Sequence, residues 1–116
     1  MSDITSIKIW LDDIRDAPDG WLQLRNINEV ERFIMIVKDL KGFFIEEMEF
    51  DFNLGDIKRG IDVMKYLSDL CVKGNTKKFW PRKIMYHSTD TEGIEIMRSF
   101  AERFEKDVLN DLGNWF

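Results

Sequence analysis

One cysteine, one histidine and two prolines are all that this 116-residue chain holds of those types. Each shortage narrows what the chain can be. Cys71 alone cannot build an internal disulfide framework, and with His87 as the sole histidine a Cys/His zinc site is disfavoured too. No apolar run approaches the roughly 18 residues of a membrane span. Residues 1–6 lack the basic start and apolar stretch of a signal peptide. Repeats, low-complexity tracts and linker-like stretches are missing as well. Charge of one sign is short: 17 basic residues stand against 22 acidic ones, for a net charge of -5, so a broad basic face is not to be expected. General nucleic-acid binding is therefore disfavoured. What is present is 44% apolar and 13% aromatic content, enough for one real core in a chain too short for two ordinary domains. The expectation is a single acidic domain over residues 1–116, cytoplasmic and without membrane association.

Hydrophobic patterning divides the chain into seven segments. Ile7 to Leu11 is β-rich and stops at Asp12-Asp13, which predicts a buried strand. Ala17-Pro18-Asp19-Gly20 signals a turn, and Trp21 to Leu24 predicts a second strand. Asn28 with Glu31 three residues later makes a helix-start signature, after which Val30, Phe33, Ile34, Val37 and Leu40 follow one helical face up to Gly42. Phe44 to Phe52 predicts a third strand. Ile61, Met64, Leu67 and Cys71 mark a second helix ending near Gly74-Asn75, and Lys83 to His87 a fourth strand. Ile94, Met97, Phe100, Ala101, Phe104, Val108 and Leu112 keep helical spacing over almost five turns. The order β, β, α, β, α, β, α implies a mostly parallel sheet with helices packed on its faces, where Met64, Met85 and Met97 fill core positions.

In open sheets of this kind ligands bind beyond the carboxyl ends of the strands. Strand one ends at Asp12-Asp13, strand three at Asp51, and strand four at His87-Ser88. Carboxylates this close repel one another unless a cation neutralises them, and Mg²⁺ (or Mn²⁺) suits such a cluster with a phosphate substrate. Arg15 could pair with the acids or grip a phosphate bidentately. His87 could serve as general acid or base, or be a satisfied strand-end histidine. Thr89 with Glu92 fits a capping box, Ser88 and Thr89 lie where a helix N-terminus offers N–H groups to an anion, and Gly93 would let a ligand approach closely. Lys73, Lys77, Lys78, Arg82 and Lys83, interleaved with Phe79-Trp80, read as a solvated loop at the far edge of the sheet rather than a substrate contact. Trp115-Phe116 either fold back as a core plug or dock a partner.

Three linked motifs carry a resemblance: Leu11-Asp12-Asp13-Ile14-Arg15 with Pro18-Asp19-Gly20-Trp21, then Phe50-Asp51-Phe52-Asn53-Leu54-Gly55 with Gly60-Ile61-Asp62, then His87-Ser88 with Gly93 and Met97. Over residues 7 to about 100 the chain resembles the cyclic-phosphate-processing receiver-like domains, an offshoot of the response-regulator receiver fold. The resemblance implies a receiver-like (flavodoxin-like) three-layer α/β/α fold with a short, mostly parallel four-stranded sheet, the fifth strand missing. It implies an Mg²⁺-type pocket of Asp12, Asp13 and Asp51 with His87 and Ser88 beside it. The family's Asp-His-Asp-Leu-Gly motif here has Phe52 and Asn53 at its second and third positions, and Thr89-Asp90-Thr91 replaces an Asn-Pro pair after His-Ser.

The leading expectation is a metal-dependent phosphoesterase, or a binder of cyclic phosphate or nucleotide phosphoester groups. In it Asp12, Asp13 and Asp51 hold the metal, Asp51 and His87 act in catalysis, and Arg15, Ser88 and Thr89 bind phosphate. The alternatives are a catalytically inactive receiver-like adaptor for a protein partner, and phosphoacceptor signalling through Asp51.

Overall fold

A computed structural model describes residues 5–115. Strand β1 (Thr5–Leu11) is followed by β2 (Leu22–Leu24), α1 (Ile27–Val37), β3 (Phe43–Phe50), α2 (Gly60–Gly74), β4 (Ile84–Tyr86) and α3 (Thr91–Asp107). A single 3-10 turn, Leu109–Asp111, succeeds α3. The four strands form one sheet in the order β2-β1-β3-β4, with every pairing parallel. This is the receiver-like α/β fold expected from the sequence, and no fifth strand occurs among the described residues.

The layering differs from the three-layer expectation. No helix separates β1 from β2, so both crossovers, β2 to β3 through α1 and β3 to β4 through α2, step across the sheet in the same direction. Right-handed crossovers then place both helices on one face. Helix α3 packs beside α2 on that face, where Met97 reaches Gly60. Ile9, Leu11, Ile45, Met48 and Phe50 are buried beneath the helices. Their alternating neighbours Lys8, Trp10, Gln23 and Glu49 lie on the opposite face, partly buried, and no described helix covers it. Met85, in register with Glu49, is on that face and 40% exposed, so only Met64 and Met97 of the three expected core methionines are buried.

Local chemistry shifts several element boundaries. Asn26, not Asn28, caps α1: its Oδ1 accepts from the Glu29 backbone N–H at 2.9 Å, while Glu29 Oε1 accepts from the Arg25 N–H at 2.8 Å. The helix then buries Val30, Phe33, Ile34 and Val37, each contributing about 1.5–3 kcal/mol on burial. Strand β3 ends at Phe50, which leaves Asp51 and Phe52 in the following loop. The long third helix breaks at Val108, where ψ stays helical but φ is -125°, and continues only as the 3-10 turn.

The basic stretch is solvated only in part: Lys73, Arg82 and Lys83 are exposed and Lys77 partly so, but the middle of the loop turns inward. Phe79 and Trp80 lie in the core, and Lys78 is buried with its Nζ donating to the carbonyls of Lys38 and Leu40, each at 2.7 Å. Those carbonyls follow α1, where the peptide dipoles favour a cation. Arg82 covers the Phe44 ring at 3.7 Å and the Trp115 ring at 5.3 Å. Trp115 packs against the core, and Phe116 lies outside the described residues. No described helix is long and apolar enough to cross a membrane.

Candidate functional site

Strand register assembles the site. Leu11 is paired with Phe50, and Phe50 with Tyr86, so the next residue of each strand, Asp12, Asp51 and His87, reaches the same edge. The ladder continues through these residues: Asp12 N–H donates to Leu24 O at 3.1 Å, Asp51 N–H to Leu11 O at 3.0 Å, and His87 N–H to Phe50 O at 3.2 Å. One donor atom each from Asp12, Asp51 and His87 lies within 4.8 Å of the others, the one such convergence among the described residues.

Asp12 is 1% exposed and fully engaged. Its Oδ1 accepts from the backbone N–H groups of Ile14 at 2.8 Å and Arg15 at 2.9 Å, and its Oδ2 lies 3.0 Å from His87 Nε2. Burial opposes its ionisation, but those backbone hydrogen bonds and His87 outweigh burial and hold its carboxyl below the ordinary range. Asp51 shifts the other way. Burial raises it and the Asp12 charge adds to the rise, against a hydrogen bond from Ser88 and attraction to His87 and Arg15. Two neighbouring acids pushed in opposite directions leave one carboxylate firmly charged and a second short of positive charge.

Beside them is a cavity of about 430 Å³ whose walls include Asp12, Asp13, Arg15, Asp51, Asn53 and Thr89. Asp13 thus lines the cavity without joining the three-atom cluster, and its Oδ2 lies where a Cβ on Gly55 would come within 2.6 Å. Gly55 has φ +64°, and that left-handed turn brings its backbone against the Asp13 carboxylate. A second cavity of equal volume between α2 and α3, lined by Ile61, Ile96 and Phe100, receives no strand-end side chain.

Arg15 Nη1 donates to the His87 carbonyl at 2.6 Å and its Nε is 4.0 Å from Asp12 Oδ2, so it ties the ends of β1 and β4 together while lining the cavity. Ser88 Oγ accepts from the Asp90 N–H at 3.1 Å. Asp90, rather than Thr89, caps α3 by accepting from the Gly93 N–H at 2.8 Å, which leaves the exposed Thr89 on the cavity wall. Gly93 makes room for a side chain rather than a ligand: a Cβ there would meet the buried Phe52 ring at 2.3 Å. His87 faces inward between two acids, with Nδ1 3.4 Å from Glu49 Oε1 and its ring stacked on Trp10.

Three contributors escaped sequence reasoning. Gln23 Nε2 donates to the carbonyls of Asp12 and Arg15 while its Oε1 accepts from the Ala17 N–H, which pins the loop after β1. Trp10 Nε1 donates to the same Arg15 carbonyl, and Glu49 faces His87. Strand alternation was the available signal, since residues 10, 49 and 87 fall on one face once the register is known.

The donor set suits a divalent cation. Two carboxylates and an imidazole, each with a ligand atom within 4.8 Å of the others, are donors that one such ion can bridge. No curated protein and no solved structure matches the chain. The model of the cyclic-phosphate processing receiver domain matches residues 7–103, from within β1 into the last turns of α3 and across every residue of the site. The chain therefore belongs to the cyclic-phosphate processing receiver domain family.

Proposed function

We propose that the strand-end pocket binds a divalent cation and processes a phosphate ester, a cyclic phosphate or nucleotide phosphoester in keeping with the family. The observation that carries this reading is the convergence of Asp12, Asp51 and His87 within 4.8 Å beside a cavity also walled by Arg15 and Thr89. Asp12 and Asp51 would hold the cation, with Asp13 within reach on the cavity wall. When bound, the ion supplies Lewis-acid polarisation of a phosphoryl oxygen and a water of lowered pKa. Arg15 offers guanidinium N–H groups to the phosphate, and the Thr89 hydroxyl lies across the cavity. Ser88 shares its hydroxyl between Asp51 and the turn before α3, so it orients Asp51. In hydrolysis water adds at phosphorus, one P–O ester bond breaks, and the departing oxygen takes up the proton that water releases.

The test is hydrolysis of 2′,3′- and 3′,5′-cyclic nucleotides with Mg²⁺ or Mn²⁺, comparing the protein with Asp51→Asn. Turnover should fall at least a hundredfold in the variant while its circular dichroism is unchanged. Equal turnover would refute the role given to Asp51.

One observation favours a second reading, the adaptor: the sheet face without a described helix carries Trp10 and Met85. Met85→Glu should then abolish capture of a protein partner while cation binding persists; unchanged capture would dismiss that surface.

A further inference from the structure

His87 Nδ1 is the one buried side-chain nitrogen or oxygen among the described residues without a hydrogen bond. It is not remote from an acceptor: Glu49 Oε1 is 3.4 Å away, and both side chains are mostly buried, at 11% and 17% exposure. The other ring nitrogen, Nε2, is directed at Asp12 Oδ2 within the three-donor cluster. The ring has little freedom to turn elsewhere, because it stacks on Trp10 with centroids 4.1 Å apart and planes inclined by 6°. A neutral imidazole has one N–H and one lone pair. With the hydrogen on Nε2 the ring donates to Asp12 Oδ2 at 3.0 Å. With the hydrogen on Nδ1 it is directed toward Glu49, and the Nε2 lone pair is free for a cation that takes the place of that hydrogen beside Asp12.

We propose that Glu49 fixes the His87 tautomer from behind, and that His87 Nε2 thereby becomes a nitrogen ligand beside Asp12 and Asp51, so that the site selects a transition-metal dication over Mg²⁺. This inference rests on the metal-pocket reading above and assigns a role to Glu49, which is a positioning residue and touches no substrate. A histidine ligand's second nitrogen is commonly held by a carboxylate in this way, which fixes the ring and raises its basicity. An imidazole donor favours the later first-row dications such as Co²⁺ and Zn²⁺, and Mn²⁺ accepts one more readily than Mg²⁺, which prefers an all-oxygen shell. The selectivity would be a property of two residues on neighbouring strands, Glu49 on β3 and His87 just past β4.

Calorimetric titrations of the chelator-stripped protein with Mn²⁺ and with Mg²⁺ test this, alongside the ring-nitrogen NMR shifts of His87 on adding Zn²⁺. Because the chain has one histidine, those signals need no assignment. The wild type should prefer Mn²⁺, and Zn²⁺ should move the Nε2 signal. His87→Gln should weaken Mn²⁺ by about 10- to 100-fold, a ligand-loss effect at least as large as losing an outer partner, and Mg²⁺ by a clearly smaller factor. Glu49→Leu should lose preference in the same direction, and Glu49→Gln, which keeps an oxygen acceptor for Nδ1–H, should recover most of it. Unchanged circular dichroism and urea midpoint show that each variant is folded. If His87→Gln leaves the Mn²⁺-to-Mg²⁺ ratio unchanged, or the ring signals do not move, this inference fails and the pocket reading stands. If neither ion binds the wild type, both fail together.

Discussion

Gly60 opens α2 directly against the loop residues that follow β3. Its N–H donates to Phe52 O at 2.8 Å, and a Cβ built on it would lie 2.2 Å from the Asp51 carbonyl oxygen. Alanine normally gains up to about 1 kcal/mol over glycine inside a helix. Here a backbone oxygen blocks the methyl, and overpacking of this kind costs about 1–3 kcal/mol. Gly60→Ala should therefore lower the urea midpoint and weaken cation binding together, because Asp51 must shift. Asp51 also gives a pH signature. Its folded pKa is raised by burial and by Asp12, so its contribution to stability is fully present below its ordinary value of 3.8 and is lost as pH rises through the folded value. Asp12 behaves oppositely, with stability present above 3.8 and lost as pH falls through its depressed value. In metal-free buffer Asp51→Asn should accordingly gain stability relative to the wild type between about pH 3 and about pH 7, read by urea midpoints at each pH. A difference that shrinks with rising pH would contradict this. Asp12, Asp51 and His87 were legible in the sequence because strand ends are marked by abrupt loss of apolar residues. Glu49 was not, since a half-buried glutamate in a strand reads as an ordinary outward-facing position until the register places it opposite an imidazole.

At the scale of elements, Lys78 fastens the loop before β4 to the end of α1. Lys78→Met keeps the stem's apolar contacts but removes the donor to two carbonyls. The cost should be about 1–3 kcal/mol, the usual penalty for stranded buried acceptors, measured by urea unfolding. A change within experimental error would mean that water replaces the amine. Helix α2 offers a different probe. Cys71 is wholly buried on its inner face, and burial pushes its thiol up to about 12. The native protein should therefore resist a thiol reagent at neutral pH and react fully only once α2 detaches from the sheet, so the labelling rate reports opening of that helix. Fast labelling without unfolding would show that α2 is loosely held. Element types were readable from periodicity, but caps were less so. Asn26 with Glu29 and Asn28 with Glu31 offer the same spacing, and the apolar stripe that follows fits either start. The same ambiguity separated Thr89 from Asp90, and only the hydrogen-bond geometry decides between them.

Across the whole molecule, all described helices share one face of the sheet, while Asp12, Asp13 and Asp51 gather at its C-terminal edge and the loop before β4 plugs the opposite end. The sequence alternation of strands and helices suggested helices on both faces. It did not reveal the missing helix between β1 and β2 as the feature that sends both crossovers to one side. The loop that takes its place, residues 12–21, is pinned by Gln23 and Trp10 and supplies Asp12, Asp13 and Arg15 to the site. Cation binding should therefore stabilise the entire fold: an ion at a hundred times its dissociation constant adds about 2.7 kcal/mol if it binds only the folded chain, visible as a rise in melting temperature that Asp51→Ala lacks. The most direct measurement is an amide NMR titration of chelator-stripped protein with Mg²⁺, with Asp51→Ala alongside. Saturable shifts confined to residues 12–15, 51–55 and 87–90, and absent from the variant, are the predicted result. Spectra unchanged both up to about 10 mM Mg²⁺, well above the range of functional oxygen-ligand sites, and on adding Zn²⁺, or shifts that persist in Asp51→Ala, would contradict a metal pocket at the strand ends.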